Sequence, residues 1–234
     1  MSLDKKKVLI TGSSGMVGKN LIEHEKAKSY KLLIPRRNEL NLQNKNDVLF
    51  WIENNKPDFV IHAAGKVGGI QANIAEPELF LTANLELGIN LLNACSELGI
   101  KNLINLGSSC MYPRNASNPL KENDILNGEL EPTNEGYALA KVCIQRLCDY
   151  FSKKDKSLNY KTLIPCNIYG KFDSFEKDKS HLLPSIIEKI SSAKKEKDNS
   201  VEIWGTGKVR REFMYAGDLA DSIWFCLERI KNLP

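Results

Sequence analysis

The run Val8-Leu9-Ile10-Thr11-Gly12-Ser13-Ser14-Gly15-Met16-Val17-Gly18 leaves this chain few folds to choose from. A short β-prone stretch meets three glycines spaced three apart, and a helical pattern follows at once. Glycine belongs where backbone turns tightly or must approach another group closely. A helix opening at such a turn offers free N–H groups and the positive end of its dipole, which suits a pyrophosphate. The spacing is GxxGxxG rather than GxGxxG, a variant of the general dinucleotide fingerprint. Gly12, Ser14, Gly15, Met16, Val17 and Gly18 are therefore candidate cofactor-binding residues.

The same alternation continues downstream. Apolar runs at 8–11, 31–34, 59–62, 103–106 and 160–164 predict strands, and the patterns at 16–27, 47–54, 77–98 and 137–151 predict helices. Strands alternating with helices imply βαβ units, hence an α/β, Rossmann-type, doubly wound parallel sheet. Beyond 164 the character changes: 182–195 and 218–230 read as helices, 201–204 and 212–215 as short strands, and polar 191–200 as an exposed loop. The expected organisation is a dinucleotide-binding domain over 1–170 and a small, truncated C-terminal substrate lobe over 171–234, interleaved with the sheet. The leucine-rich 77–98 helix carries apolar residues on more than one face, which predicts deep burial or a second subunit against it. A homodimer is the expectation.

Composition narrows the function classes. With 42% hydrophobic residues in 234, a sizeable core can form. A net charge of +4, spread along the chain, gives no patch for nucleic acid. The six cysteines form no CxxC pair and read as reduced thiols, so no metal site is expected. No run approaches the roughly 20 apolar residues of a membrane span, and the basic start lacks a signal-peptide core. These features predict a cytoplasmic protein with no membrane partner.

The end of the second strand bears on the cofactor. An acid there would bind the ribose 2′-hydroxyl of NAD. Here Arg36 and Arg37 follow Pro35, and no acid appears before Glu39. Guanidiniums make charge-assisted, bidentate contacts to a phosphate, which predicts NADP(H).

Tyr137 and Lys141 stand at i and i+4, stacked on one helical face. An ammonium near a phenol favours the phenolate, so Lys141 is expected to lower the Tyr137 pKa and make it a usable acid and base. Gly107-Ser108-Ser109-Cys110 follows the fourth strand directly, and ligands of open parallel sheets bind at the carboxyl ends of strands. Ser108 there could hydrogen-bond a carbonyl oxygen that Tyr137 also contacts. His62, Trp51 and Trp224 read as structural, and Cys143 and Cys148 share the Tyr137 helix at spacings that need not face it.

The glycine turn, Ser108 and YxxxK resemble the extended short-chain dehydrogenase/reductase superfamily. The blocks Ala63-Ala64-Gly65-Lys66-Val67-Gly68-Gly69-Ile70, Gly107-Ser108-Ser109-Cys110-Met111-Tyr112-Pro113, Glu131-Pro132-Thr133-Asn134-Glu135-Gly136-Tyr137 and Pro165-Cys166-Asn167-Ile168-Tyr169-Gly170 resemble its GDP-L-fucose synthase branch. Ser180-His181-Leu182-Leu183-Pro184 and the stretch from Trp204 through Arg211 to Phe213 extend the resemblance over nearly the whole chain. It implies Ser108, Tyr137 and Lys141 as the catalytic reductase set and Cys110 with His181 as an epimerisation pair. It further implies Ala63, Ala64, Lys141, Pro165, Asn167 and His181 at the cofactor, and Lys189, Trp204 and Arg211 at the substrate. The implied activity is NADPH-dependent 3,5-epimerisation and 4-keto reduction of a GDP-4-keto-6-deoxy-hexose. The alternative is a 4-reductase, with or without epimerase activity, acting on a GDP-4-keto-heptose or another nucleotide 4-keto-sugar. A non-catalytic NADP-binding regulator on the same scaffold is the reading from another class, and the presence of both Tyr137 and Lys141 speaks against it. Three departures stand out. Ser14 takes a place often basic in the branch, Cys166 one commonly threonine, and Gly136 replaces a proline, which is expected to loosen the approach to Tyr137. The chain also stops before members of the branch do, which reads as a fragment or a shortened homologue.

Overall fold

The computed structural model describes residues 5–176, 182–203 and 205–234. Five parallel strands form the main sheet: β1 (Lys7–Thr11), β2 (Lys31–Leu33), β3 (Phe59–His62), β4 (Asn102–Leu106) and β5 (Asn159–Leu163). They lie in the order β2-β1-β3-β4-β5. The direction of winding reverses beside β1, and that reversal opens a crevice at the strands' carboxyl ends.

Alternation along each strand sorts the core into two layers. Leu9, Val60, Leu103 and Tyr160 face α2 (Lys45–Asn55), α4 (Pro77–Glu97) and α5 (Glu135–Lys154) in one apolar cluster. Val8, Ile10, Phe59, Ile61, Ile104 and Leu106 face the other way, onto Leu21 of α1 (Met16–Glu23) and the apolar stripe of α7 (Ala216–Glu228). Trp224 of α7 is fully buried there, donates its indole N–H to the Leu21 carbonyl at 3.2 Å, and stacks on Tyr30. The six cysteines are free, with Cys95 and Cys148 buried in the first layer and Cys143 exposed.

Several elements differ from the sequence expectation. The first helix stops at Glu23, because His24 turns to an extended conformation and its ring accepts the Lys26 N–H, starting a short 3-10 helix over Glu25–Ser29. Two elements were not anticipated: α3 (Ile70–Ala75) and β6 (Asn167–Tyr169), which pairs in parallel with β7 (Phe213–Tyr215) in a second, two-stranded sheet. The helix α6 (Leu182–Glu196) takes in half of the polar stretch expected as loop and ends before Lys197, which adopts φ 60°. Residues 201–203 are not a strand; they find no pairing partner. Among the described residues, no helix is long and apolar enough to cross a membrane.

Candidate active site

The carboxyl ends of β1, β3 and β4 place the candidate residues around one crevice. Gly12 follows β1 with φ +70°, and a Cβ on it would stand 2.6 Å from the Ala63 carbonyl oxygen beyond β3. A Cβ on Gly18 would collide with the Gly12 carbonyl and Ser13. Gly15 is the N-cap of α1, and no side chain caps that terminus. The turn is thus bare backbone leading into free helical N–H groups, and it fits a pyrophosphate. Ala64 is fixed behind it, donating its N–H to Thr11 Oγ1 at 3.2 Å.

Arg36 and Arg37 are both exposed just past β2. The Arg37 guanidinium donates to Gln43 Oε1 at 2.7 Å, and Gln43 in turn donates to Glu86 at 2.8 Å. Glu39 turns back to accept the Arg36 backbone N–H at 2.7 Å. Cationic groups at this strand end fit a 2′-phosphate.

Two helices hold Tyr137 and Lys141 in place, and glycine makes their approach possible. A Cβ on Gly136 would run into the Pro77 carbonyl at the start of α4, and one on Gly88 would lie 2.5 Å from Ile144 Cδ1. Glycine at 136 therefore does not loosen the approach to Tyr137; close packing of α5 on α4 requires it. Lys141 is buried, and its ammonium donates to the Leu106 carbonyl at 2.8 Å. The same ammonium lies 5.6 Å from the Tyr137 ring centroid. On the far side Asn84 of α4 clamps the loop after β3: it accepts the Lys66 N–H at 2.9 Å and donates to the Lys66 and Phe80 carbonyls.

Beyond β4, the Gly107 N–H donates to the Leu163 carbonyl and the Ser109 N–H to the Pro165 carbonyl, which pins the Ser108–Cys110 turn to the end of β5. The Ser108 side chain stands near both the Cys110 thiol and the Tyr137 phenol and favours the anion of each. Ser108, Cys110, Tyr137 and Lys141 therefore come together. Their charge states differ from the sequence expectation. Burial pushes the Tyr137 phenol up, Cys110 adds to the rise, and Ser108 opposes it. Burial also raises Cys110, against Ser108 and the Lys141 charge. Lys141 itself is brought down to about 8 by burial. Loss of hydration dominates at the phenol, so it is not lowered as expected.

The remaining candidates are dispersed. Asn167 heads β6, exposed, and donates to the Glu212 carbonyl at 3.0 Å. Lys189 lies on α6 with its ammonium on the Glu202 carbonyl at 2.9 Å. Arg211 is exposed before β7, its guanidinium on the Arg210 carbonyl at 3.2 Å. His181 and Trp204 lie outside the described residues.

Sequence reasoning missed a row of polar residues. Thr11, His62, Asn105 and Thr162 are register partners across β1, β3, β4 and β5, on the face that carries α4 and α5. Thr11 Oγ1 and His62 Nδ1 are 2.9 Å apart, and Asn105 Nδ2 donates to Thr162 Oγ1 at 3.1 Å. Burial, joined by the Lys141 charge, pushes His62 down to about 3, so its ring is neutral. The available signal was a polar residue at the matching position of four strands, three of them apolar through their middle.

Comparison with known proteins follows this geometry. The family model described as NAD dependent epimerase/dehydratase family matches residues 8–234. A GDP-L-colitose synthase of Yersinia pseudotuberculosis is 50% identical over 228 residues, 97% of this chain and 74% of that protein. A GDP-L-fucose synthase of Azorhizobium caulinodans is 48% identical over 229 residues, 98% of this chain and 73% of that protein. Among solved structures, a GDP-mannoheptose C4 reductase from Campylobacter jejuni with NADP bound superposes with a TM-score of 0.86 at 31% identity, covering 98% of this chain and 75% of that one.

Proposed function

Because the chain belongs to the NAD dependent epimerase/dehydratase family, we propose that it is an NADPH-dependent enzyme that epimerises a GDP-4-keto-6-deoxy-hexose at C3 and C5 and reduces its 4-keto group. The observation that carries this reading is the convergence of Ser108, Cys110, Tyr137 and Lys141 beside the glycine cradle. Relatives named for GDP-fucose and GDP-colitose synthesis support it.

The Gly12–Gly18 turn would hold the pyrophosphate, Arg36 and Arg37 the 2′-phosphate, and Lys141 the nicotinamide ribose. When bound, NADPH supplies the hydride that reduces the ketone carbon. Tyr137 donates the proton that turns the ketone oxygen into an alcohol, and Lys141 stabilises the phenolate left behind. Before reduction, the ketone acidifies the C3 and C5 protons, because the carbanion is an enolate. Ser108 and Tyr137 hold the enolate oxygen. Cys110 as thiolate removes the carbon proton, and His181 returns one on the opposite face. Residues 1–170 form the cofactor half and 171–234 the substrate lobe, where Lys189, Trp204 and Arg211 would meet the nucleotide. The protein works in the cytoplasm as a homodimer, and the exposed Leu79 and Ile89 of α4 and Tyr150 of α5 favour a two-fold contact through those helices.

A second reading is 4-reduction of a GDP-4-keto-heptose, favoured by the likeness to the mannoheptose C4 reductase. Turnover with NADPH and GDP-4-keto-6-deoxy-mannose in D2O separates the two. Deuterium at C3 and C5 with loss of NADPH absorbance is expected. Hydride transfer without deuterium would make the protein a reductase alone, and tight NADPH binding without turnover would point to the regulator. Cys110→Ser should abolish the exchange while sparing some reduction; unchanged exchange would remove Cys110 from its role.

A further inference from the structure

The polar row beneath Lys141 has a break in its middle. His62 is tied to Thr11 on one side and Asn105 to Thr162 on the other. His62 and Asn105 are register partners on adjacent strands, yet Asn105 Oδ1 is buried without a hydrogen-bond partner. Asn105 is 1% exposed, so solvent outside the fold does not reach it. A cavity of about 10 Å³ lies at this break, lined by His62, Asn105, Asn84 and Lys141 with Ala64, Ala140 and Ile144. That volume admits the centre of one water molecule.

We propose that a single bound water completes the row, accepting from Lys141 and His62 and donating to Asn105, which makes Asn105 a positioning residue for the lysine ammonium. The hydrogen-bond inventory supports these roles. Thr11 Oγ1 accepts the Ala64 N–H, and among the described contacts the acceptor within reach of its own proton is His62 Nδ1; placing the proton there leaves Nε2–H as a donor. Lys141 spends one N–H on Leu106 and has two more. Asn84 has both its oxygen and its amide engaged with backbone, so it does not compete. Three partners is the usual complement of a buried water. The water therefore links Lys141 of α5 to four strands of the sheet.

Among the described residues, the charged and titratable groups facing Lys141 are His62 from β3, Cys110 from the turn after β4 and Tyr137 from its own helix. None is a carboxylate, so an oriented water is a main support for the ammonium beside the Leu106 carbonyl. Removing its anchor lowers the lysine pKa, and placing a negative charge there raises it.

The reading of Lys141 as part of the reductase site gives this arrangement its importance, but its test needs no turnover. Titration of the Lys141 ammonium by 15N-detected NMR in the intact chain, without cofactor, should show a downward shift of about one pH unit in Asn105→Leu and an upward shift in Asn105→Asp. A merely structural role would weaken both variants without moving the titration in opposite directions. In the unaltered protein, imidazole 15N shifts should show the Nε2–H tautomer of His62, and a high-resolution crystal structure should show solvent density between His62, Asn105 and Lys141. An unmoved Lys141 titration in Asn105→Leu, an Nδ1–H tautomer, or a cavity without density would overturn the proposal. Absence of turnover on GDP-4-keto sugars would overturn the proposed activity and leave these readouts intact.

Discussion

At Lys141 two demands compete. The side chain must be buried to stand behind Tyr137, and burial works against its charge, bringing it to about 8. Cys110 carries the opposite penalty, because its active form is the anion that burial disfavours. The two reactions proposed for the one site should therefore part company with pH. As pH rises through about 8 the ammonium is lost, and reduction, which needs it to support the Tyr137 phenolate, should decline. Over the same range the thiolate fraction of Cys110 grows toward its raised pKa, so carbon exchange should accelerate. NADPH absorbance and deuterium incorporation, followed side by side from pH about 6 to about 9, measure the two limbs, and parallel profiles would contradict the assignment. Ser108, Tyr137 and Lys141 were legible in the sequence as spacing after a strand and along a helix, and Cys110 through the resemblance carried by its block. Their charge states were not, because desolvation depends on what packs over a group, and that is settled by contacts distant in the chain.

Helices α4 and α5 act as one block, and two glycines set how close they lie. Gly88→Ala would push a methyl against Ile144, a 3% exposed core residue, and should cost about 1–3 kcal/mol of stability. Gly136→Ala meets the rigid Pro77 carbonyl, so the start of α5 must move and carry Tyr137 with it. A fall in kcat on the order of tenfold or more is expected there, against a smaller fall for Gly88→Ala. Urea unfolding and steady-state kinetics on both variants provide the comparison. Strands β1 to β4 were readable because buried parallel strands appear as largely apolar runs, and β5, which carries Lys161 and Thr162, was readable from its place in the alternation. β6 and β7 have three residues each, too few for a period to register, and only β7 was anticipated, because its partner comes from a distant part of the chain. Helix α3 escaped notice for the same reason of length, and residues 201–203 had a strand's composition without a neighbouring edge to pair with.

Taken whole, the molecule is fastened by a helix from its C-terminal part. Trp224 stacks on Tyr30 at 5.1 Å between centroids, bonds the Leu21 carbonyl, and fills the layer between α1 and the sheet. Trp224→Ala removes the largest fully buried side chain among the described residues and should cost about 3–5 kcal/mol. Chemical denaturation would read the loss, and a cost under about 1 kcal/mol would show that the contact is not structural. The Leu21–Trp224 bond joins residues 203 positions apart, and this has a temporal consequence. During synthesis Leu21 leaves the ribosome 203 residues ahead of Trp224, so the apolar underside of the helix after the glycine turn stays uncovered until α7 has also emerged. Throughout that interval the surface is open to chaperones and to other nascent chains, until the later helix docks.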